Sequence, residues 1–240
     1  MVSPCVVCGN RDFAFLVRER EFPWEECRGC GFVRIAAAFT LAEAARTEDE
    51  AAMGRSYVDG YRAKFASKMA RSRRRAARLR RRSRGDDFLD VGSNLGFMVE
   101  AAERVGFRAV GVEVNQTLVH AAREQFPGRT FIPGLLEEQR FGLRRFDVVY
   151  CSEVIEHTAD PRLFLKQISA VMQPGGLLYL TTPHIREYRK SGFANMGAPD
   201  HKAYFNSANL RRLLLDCGFA KVREEFTFFR GIKLCAWRAA

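Results

Sequence analysis

The chain has 240 residues, a formal net charge of +11 and 28% charged residues, which is long enough for one full α/β domain with a small appendage. No apolar run approaches the roughly eighteen residues of a membrane-spanning helix, and the N-terminus lacks a secretory-signal pattern, so a soluble, cytoplasmic protein without membrane insertion is expected. Seven cysteines are too few for a disulfide scaffold, and removing the nine arginines within residues 71–84 leaves a charge of only +2, so the basicity belongs to one helix rather than to a nucleic-acid-binding domain.

The chain begins with Cys5-Val6-Val7-Cys8, followed by Gly9, and after eighteen residues comes Cys27-Arg28-Gly29-Cys30, followed by Gly31. Two C-x-x-C pairs at that separation, each with a glycine to permit the tight turn, fit tetrahedral zinc. Phe13, Phe15 and Val17 alternate between the pairs like a strand. A segment this small buries too little to fold unaided, so metal would supply its folding energy. Residues 1–35 are therefore expected to form a structural zinc ribbon held by Cys5, Cys8, Cys27 and Cys30. Cys151, Cys217 and Cys235 lie in apolar runs and read as small core residues.

Residues 36–84 read as a helical linker and cap. An Ala- and Glu-rich helix spans 36–53, and a second, over 57–84, carries Tyr61, Phe65, Met69, Ala76 and Leu79 near helical spacing. Its remaining positions are mostly Arg and Lys. They suit a solvated helix that edges or lids the next domain, or a docking surface for a polyanion such as RNA, a phosphorylated sugar or a nucleotide-linked lipid. No aromatic residue interleaves with the arginines of 71–84, so base stacking there is unsupported.

From residue 85 to 240 strands and helices alternate. Strands are predicted at 88–91, 108–114, 130–132, 146–151 and 176–182, with helices at 97–105, 116–125 and 161–171. This βα alternation indicates a doubly wound, mostly parallel sheet. A helix over 210–217 ends at Gly218, and strands at 222–228 and 233–238, joined by a turn at 229–232, complete the sheet as an antiparallel edge hairpin.

The first of these strands carries Asp90 and runs into Gly92-Ser93-Asn94-Leu95-Gly96, which then opens a helix. Glycines let backbone approach a ligand, and the helix start offers free N–H groups. The spacing is wrong for the dinucleotide G-x-G-x-x-G, and no Gly-Lys-Ser/Thr of a P-loop follows. The segment instead resembles motif I of class I S-adenosylmethionine-dependent methyltransferases, D-x-G-x-G-x-G: Asp90, Gly92 and Gly96 match, and Asn94, tolerant of left-handed backbone, replaces the middle glycine. Glu113 ends the next strand seventeen residues after Gly96, where the family's acid holds the ribose hydroxyls. The family's adenine-binding acid is replaced by Leu135 in Gly134-Leu135, leaving Glu137 or Glu138 as substitutes and the adenine contact unassigned. Residues 146–151 and 172–178 resemble the family's fourth strand and the start of its fifth. The resemblance implies a Rossmann-like α/β domain with a seven-stranded sheet, S-adenosylmethionine as cofactor, and a cradle of Asp90, Gly92, Ser93, Asn94, Gly96, Glu113 and Cys151.

Ser152-Glu153-Val154-Ile155-Glu156-His157 follows the fourth strand. If Glu153 opens a helix, Glu156 and His157 fall on its face at i+3 and i+4. With His201, two carboxylates and imidazoles would form a divalent-metal site for Mg2+ or another ion. The alternatives are His157 as a metal-free general base, or a structural helix cap. The same E-x-x-E-H with a distant histidine resembles the plant small-RNA 2′-O-methyltransferases, the ubiquinone-pathway O-methyltransferases, and the zinc-ribbon methyltransferases of saccharide modification. Together these imply methyl transfer to a hydroxyl or carbon of a small-molecule or saccharide-type acceptor, with Glu153, Glu156, His157 and His201 as the catalytic set. The acceptor is expected against residues 186–199, which include Tyr188, Phe193 and Met196, with His184 as a pocket wall. The competing readings are an RNA methyltransferase that clamps RNA between arginine helix and ribbon, and a non-catalytic zinc-ribbon scaffold.

Overall fold

In the computed structural model residues 3–43, 46, 54–225 and 231–240 are described. The N-terminal segment forms β1 (Phe13–Glu19), β2 (Phe22–Cys27) and β3 (Val33–Ile35), paired antiparallel in that order. Of the helix expected over 36–53, residues 36–40 are bend and coil, 41–43 are helical after Thr40, whose hydroxyl accepts the Glu43 N–H (3.1 Å), and 44, 45 and 47–53 lie outside the described residues. The single helix expected over 57–84 is two, α1 (Gly54–Arg62) and α2 (Phe65–Arg80). The break separates two packing tasks. Tyr57 and Tyr61 stack on each other over the motif turn, whereas Phe65 packs on Phe97 and Phe126.

The alternating region then delivers β4 (Asp87–Val91), α3 (Phe97–Glu103), β5 (Arg108–Glu113), α4 (Gln116–Gln125), β6 (Thr130–Pro133), β7 (Phe146–Ser152), α5 (Pro161–Val171) and β8 (Met172–Thr182). After α6 (Ile185–Lys190), β9 (Ala203–Tyr204) and α7 (Ser207–Asp216) come β10 (Phe219–Glu224) and β11 (Ile232–Arg238). The sheet has seven strands in the order β10-β11-β8-β7-β4-β5-β6, parallel from β8 to β6 and closed by the antiparallel β10–β11 pair. Of the turn expected at 229–232, residues 229 and 230 lie outside the described residues and Ile232 already opens β11.

Strand alternation splits the core into two layers. Leu89, Val91, Val149 and Cys151 pack on one face with α5 and α7; Phe88, Val148 and Tyr150 pack on the other with α2 and α3. Both faces of the parallel strands are thereby covered, as such sheets require. Asp160, whose carboxylate accepts the Arg162 and Leu163 N–H groups, starts α5, and Pro161 sits at its first position.

The ribbon is not an independent lobe. Its sheet takes a fourth strand from far along the chain: β9 pairs with β3, Tyr204 facing Val33 and Ala203 facing Arg34. Trp24 and Tyr204, both fully buried, have ring centroids 5.4 Å apart. Arg162 reaches across from α5 to the Val6 and Val7 carbonyls (2.6 and 3.1 Å), and Asn206 and Asn209 donate to the Cys30 carbonyl.

Gly96 shows how tightly the motif turn is packed. Its φ is +77°, and a Cβ there would stand 2.4 Å from the Phe131 ring. Gly96→Ala is therefore expected to cost about 2–4 kcal/mol from overpacking and left-handed backbone together. Calorimetric melting checks this; an unchanged Tm would contradict it.

Candidate functional site

In an open α/β sheet the carboxyl ends of the parallel strands border a crevice. Here they open on a cleft of about 910 Å³. Gly92, Asn94 and Glu113 line one part of it. Gly92 (φ +72°) has no room for a Cβ, which would meet Val154 at 2.5 Å, and Asn94 accepts the left-handed conformation at φ 49°. Glu113 ties the turn together. Its Oε2 accepts the Asn94 N–H (2.8 Å) and its Oε1 the Asn115 N–H (3.0 Å). The Asn94 side chain donates to the Tyr57 hydroxyl (2.7 Å), which pins α1 above the turn.

The other expected cradle residues lie behind this wall. Asp90 is buried below it, and burial together with Glu113 pushes its carboxyl well above the usual range. Ser93 and Cys151 are also buried and, like Gly96, do not line the cleft. Farther along, Gly134, Leu135, Leu136 and Glu137 form the wall, and burial raises the Glu137 carboxyl. Glu138 turns back to accept its own turn's Leu135 N–H (3.3 Å).

At the β7 and β8 ends the helix expected from Glu153 is absent. Glu153 is itself left-handed (φ 58°), and Ile155–His157 form a single 3₁₀ turn. The two glutamates therefore diverge. Glu153 lines the cleft, its Oε1 accepting the Thr181 hydroxyl (2.7 Å), which also pairs with Ser152 (2.7 Å). Glu156 is fully buried behind it, with Oε2 accepting the Thr182 hydroxyl (2.9 Å) and Oε1 without a hydrogen-bond partner. Burial pushes Glu156 up to about 8, with His157 opposing the shift.

His157 has a carboxylate at each nitrogen: Nδ1 lies 3.1 Å from Asp200 and Nε2 lies 3.8 Å from Glu156 Oε1. Against the cost of burial, that hydrogen bond holds Asp200 below the usual carboxylate range. His201 packs edge-on against His157 at 4.6 Å. The Tyr204 hydroxyl gives its proton to the Met196 carbonyl, so at 2.6 Å it must accept from His201 Nδ1, leaving the lone pair on Nε2. Burial first, then His157, lowers His201 to about 4, so the ring is neutral near pH 7. Glu156, His157 and His201 thus bring one ligand atom each within 4.8 Å of one another, while Glu153 stands apart.

Two further residue groups depart from expectation. The acceptor wall is not 186–199: none of these residues lines the cleft. Met196 packs with Trp24, Ile185 and Tyr204 beneath the ribbon, with Tyr188 and Phe193 against them. His184 caps α6 by accepting the Arg186 N–H (2.9 Å) rather than walling the pocket. The arginine helix, in contrast, turns one side into the cleft, through Lys68, Arg71, Arg74, Arg75 and Arg78. Asp200 and Thr181 also line it without having been singled out. Asp200 adjoins His201 in sequence; nothing local marks Thr181.

The four ribbon cysteines converge as expected. Cys5 and Cys30 Sγ are 3.6 Å apart and Cys8 and Cys27 Sγ 3.5 Å. Thiolates about 2.3 Å from a tetrahedral zinc would be about 3.8 Å apart, so the donor set fits that ion. Burial pushes the Cys5 thiol up to about 11 and raises Cys30 as well, whereas hydrogen bonds outweigh burial and lower Cys8, so Cys5 and Cys30 are the thiols that a cation would help to ionise.

With the geometry in hand, comparison with known proteins is informative. The sequence profile of the methyltransferase domain family matches residues 61–224. A ubiquinone biosynthesis O-methyltransferase from Parvibaculum lavamentivorans is 35% identical over 116 residues, covering 46% of this chain and 45% of that protein. The chain spans about half the length of the curated relatives it matches. Among solved structures, an S-adenosylmethionine-dependent methyltransferase from Thermotoga maritima superposes with a TM-score of 0.59 at 16% identity, covering 81% of this chain and 99% of that one. An amino pentose methyltransferase from Micromonospora echinaspora, with S-adenosylmethionine bound, gives 0.57 at 18%, covering 77% and 97%. At these identities the structural likeness concerns the fold.

The Tyr204 hydroxyl is the link between His201 and the buried Met196 carbonyl. Tyr204→Phe is expected to destabilise the protein by about 1–3 kcal/mol, because it leaves a buried acceptor unpaired. It should also release the His201 tautomer, visible as a changed Nδ1/Nε2 pattern in nitrogen-15 NMR. An unchanged His201 signature would refute the assigned tautomer.

Proposed function

We propose that this chain, which belongs to the methyltransferase domain family and is an S-adenosylmethionine-dependent methyltransferase, methylates a hydroxyl or carbon of a small-molecule or saccharide-type acceptor. The observation that carries this reading is one cleft lined at once by Gly92, Asn94 and Glu113 and by Glu153, His157 and Asp200. The name of one relative, an O-methyltransferase of ubiquinone biosynthesis, agrees with a small hydroxyl acceptor.

When bound, S-adenosylmethionine supplies an electrophilic methyl group on its sulfonium. Glu113 ends β5 in the cleft wall, where a carboxylate would accept from the ribose hydroxyls of the cofactor. Glu137, half-buried in the wall, would accept from the adenine amino group in the role that Leu135 cannot fill. The nucleophile must approach opposite the sulfur, so positioning dominates, and a hydroxyl must also lose its proton. Glu153 takes that proton, its carboxylate held toward the cleft by Thr181.

Glu156, His157 and His201 form a donor set for a divalent ion, and the unpartnered Glu156 Oε1 is the sign that a ligand belongs there. Two imidazoles and one carboxylate suit a borderline transition-metal ion better than Mg2+. Held there, such an ion would make an acceptor hydroxyl easier to ionise. Cys5, Cys8, Cys27 and Cys30 hold structural zinc.

Titration calorimetry on zinc-replete protein should show one molecule of S-adenosylmethionine bound per chain. Affinity should fall about ten- to hundredfold in Glu113→Ala, since charge-assisted hydrogen bonds are worth about 1.5–3 kcal/mol. No binding by the unaltered protein would overturn the reading.

Elemental analysis separates the two metal sites. One zinc per chain should disappear in Cys27→Ser. Added Co2+ should give a second, d–d-absorbing site that is lost in His201→Ala while ribbon zinc remains. If His201→Ala leaves that absorbance intact, the metal reading of Glu156, His157 and His201 fails.

A further inference from the structure

The cationic side of α2 has no task in the mechanism above. Lys68, Arg71, Arg75 and Arg78 follow one another at i, i+3, i+7 and i+10, the spacing of one helix face, and Arg74 flanks them. All five line the cleft. The opposite face buries Met69, Ala76 and Leu79, so these cations sit on a fixed element rather than a loop.

Three of the five are already engaged. Arg75 donates to the Tyr150 hydroxyl at 2.7 Å, Arg78 pairs with Glu225 at 3.4 Å, and Lys68 lies 3.6 Å from the Tyr61 ring centre. Arg71 and Arg74 have no carboxylate within ion-pair distance among the described residues. Their own helix, FASKMARSRRRAARLR, contains no acid that could neutralise them.

The cleft as a whole repeats this imbalance. Among the described residues six lysines and arginines line it against four carboxylates. Of those four, Glu113 is committed to backbone N–H groups and Asp200 to His157. A sulfonium cofactor adds positive charge to the same space. The methionine carboxylate of that cofactor can occupy one guanidinium fork, which still leaves a surplus. Like charges gathered in a partly water-excluded cleft repel, and an anionic ligand relieves them.

We propose that the methyl acceptor carries a phosphate or diphosphate group, clamped by Arg71 and Arg74 with Lys68 beside them. The inference rests on the methyltransferase reading and names the substrate class of that site. The guanidinium fork matches phosphate oxygens two at a time, which favours phosphate over a single carboxylate for a pair of adjacent arginines. The cleft volume of about 910 Å³ lies near the top of the about 300–1,000 Å³ typical of small-ligand sites, room for cofactor and a compact acceptor together. A nucleic-acid strand would instead engage the outward arginines on and just beyond the helix, such as Arg73, Arg81 and Arg84, which do not line the cleft.

The test uses the full-length, zinc-replete protein saturated with S-adenosylhomocysteine and titrated with inorganic pyrophosphate. Pyrophosphate should bind, and its affinity should drop at least tenfold in the Arg71→Gln/Arg74→Gln double variant. The Arg71→Lys/Arg74→Lys variant should recover part of the loss, and S-adenosylhomocysteine affinity should be the same in all three proteins. Absent pyrophosphate binding, or equal affinity in the Gln variant, overturns this inference alone. Loss of S-adenosylhomocysteine binding in the Gln variant also overturns it, by assigning the arginines to the cofactor carboxylate. A single-stranded RNA that pyrophosphate fails to displace, and whose binding falls with Arg73→Gln/Arg81→Gln/Arg84→Gln instead, overturns it in favour of RNA. If the unaltered protein does not bind S-adenosylhomocysteine, the methyltransferase reading falls first.

Discussion

One backbone unit holds the two halves of this protein in register. The Lys202 carbonyl accepts the Ile35 N–H at 3.0 Å, and the Lys202 N–H donates to the Glu156 carbonyl at 2.7 Å. The last strand of the ribbon and the turn bearing Glu156 and His157 thus meet on a single residue, whose neighbours are Asp200 and His201. Glu19 of β1 reinforces the seam by accepting the Gly197 and Ala198 N–H groups (3.1 and 2.9 Å) while Trp24 donates to it (3.3 Å). Each such bond contributes only about 1 kcal/mol net, but leaving a buried partner unmade costs about 1–3 kcal/mol. The ribbon therefore cannot shift without disturbing the histidine pair. A metal that folds the ribbon would act on the catalytic geometry from a distance, although its closed four-thiolate site touches no substrate.

The cleft sets two kinds of electrostatics against each other. The cleft has Glu137, raised by burial, in its wall and Asp90 and Glu156, likewise raised, behind that wall, whereas the His157 hydrogen bond outweighs burial and keeps Asp200 low. Its roof is α2, whose guanidiniums stay charged under any conditions a folded protein meets. Arg75 shows the balance in one residue. Burial disfavours its charge, yet the Tyr150 and Tyr179 hydroxyls and Glu153 more than compensate. The stacked Tyr150–Tyr179 pair, with centroids 5.2 Å apart and planes 8° from parallel, links this cation to the strand ends. A weakened acid in the wall and permanent cations on α2 are the asymmetry that the proposed anionic acceptor would relieve.

Much of the fold was legible because its signals are local. The βα alternation, the C-x-x-C pairs and the glycine turn each depend on residues close in sequence, and α4 and α5 fall on 116–125 and 161–171 as their periodicity indicates. The site was legible only where it borrows those elements: Gly92, Asn94 and Glu113 at the strand ends. What escaped depends on distant pairing. Glu153, Glu156 and His157 satisfy a helical spacing, but the chain leaves β7 through a left-handed Glu153 whose N–H is tied to the Thr181 carbonyl, and a 3₁₀ turn results. The aromatic content of 186–199 suggested a ligand wall, yet those side chains complete the small apolar core under the ribbon, a demand visible only once β9 joins β3. The arginine helix hid its inward face because the burial of Met69, Ala76 and Leu79, not its charge pattern, sets its rotation.

The histidine pair bears on how a proton leaves the acceptor. A metal-free His157 base would need a ring nitrogen directed at the acceptor, but its two nitrogens face Asp200 and Glu156. Its carboxylate partner at Nδ1 resembles the outer contact that orients a ligating histidine and fixes its tautomer. His201 receives the same treatment from Tyr204, which leaves Nε2 as its lone-pair atom. Glu156, driven toward its neutral form by burial, regains the reason to ionise if a cation sits between it and the two imidazoles. The three residues then become mutually consistent: neutral histidines, an ionised glutamate and no orphaned oxygen. On the proposed reading proton removal would fall to Glu153, which faces the cleft from the other side of the turn. This division of labour follows from a single backbone feature, the left-handed Glu153 that points the two glutamates apart.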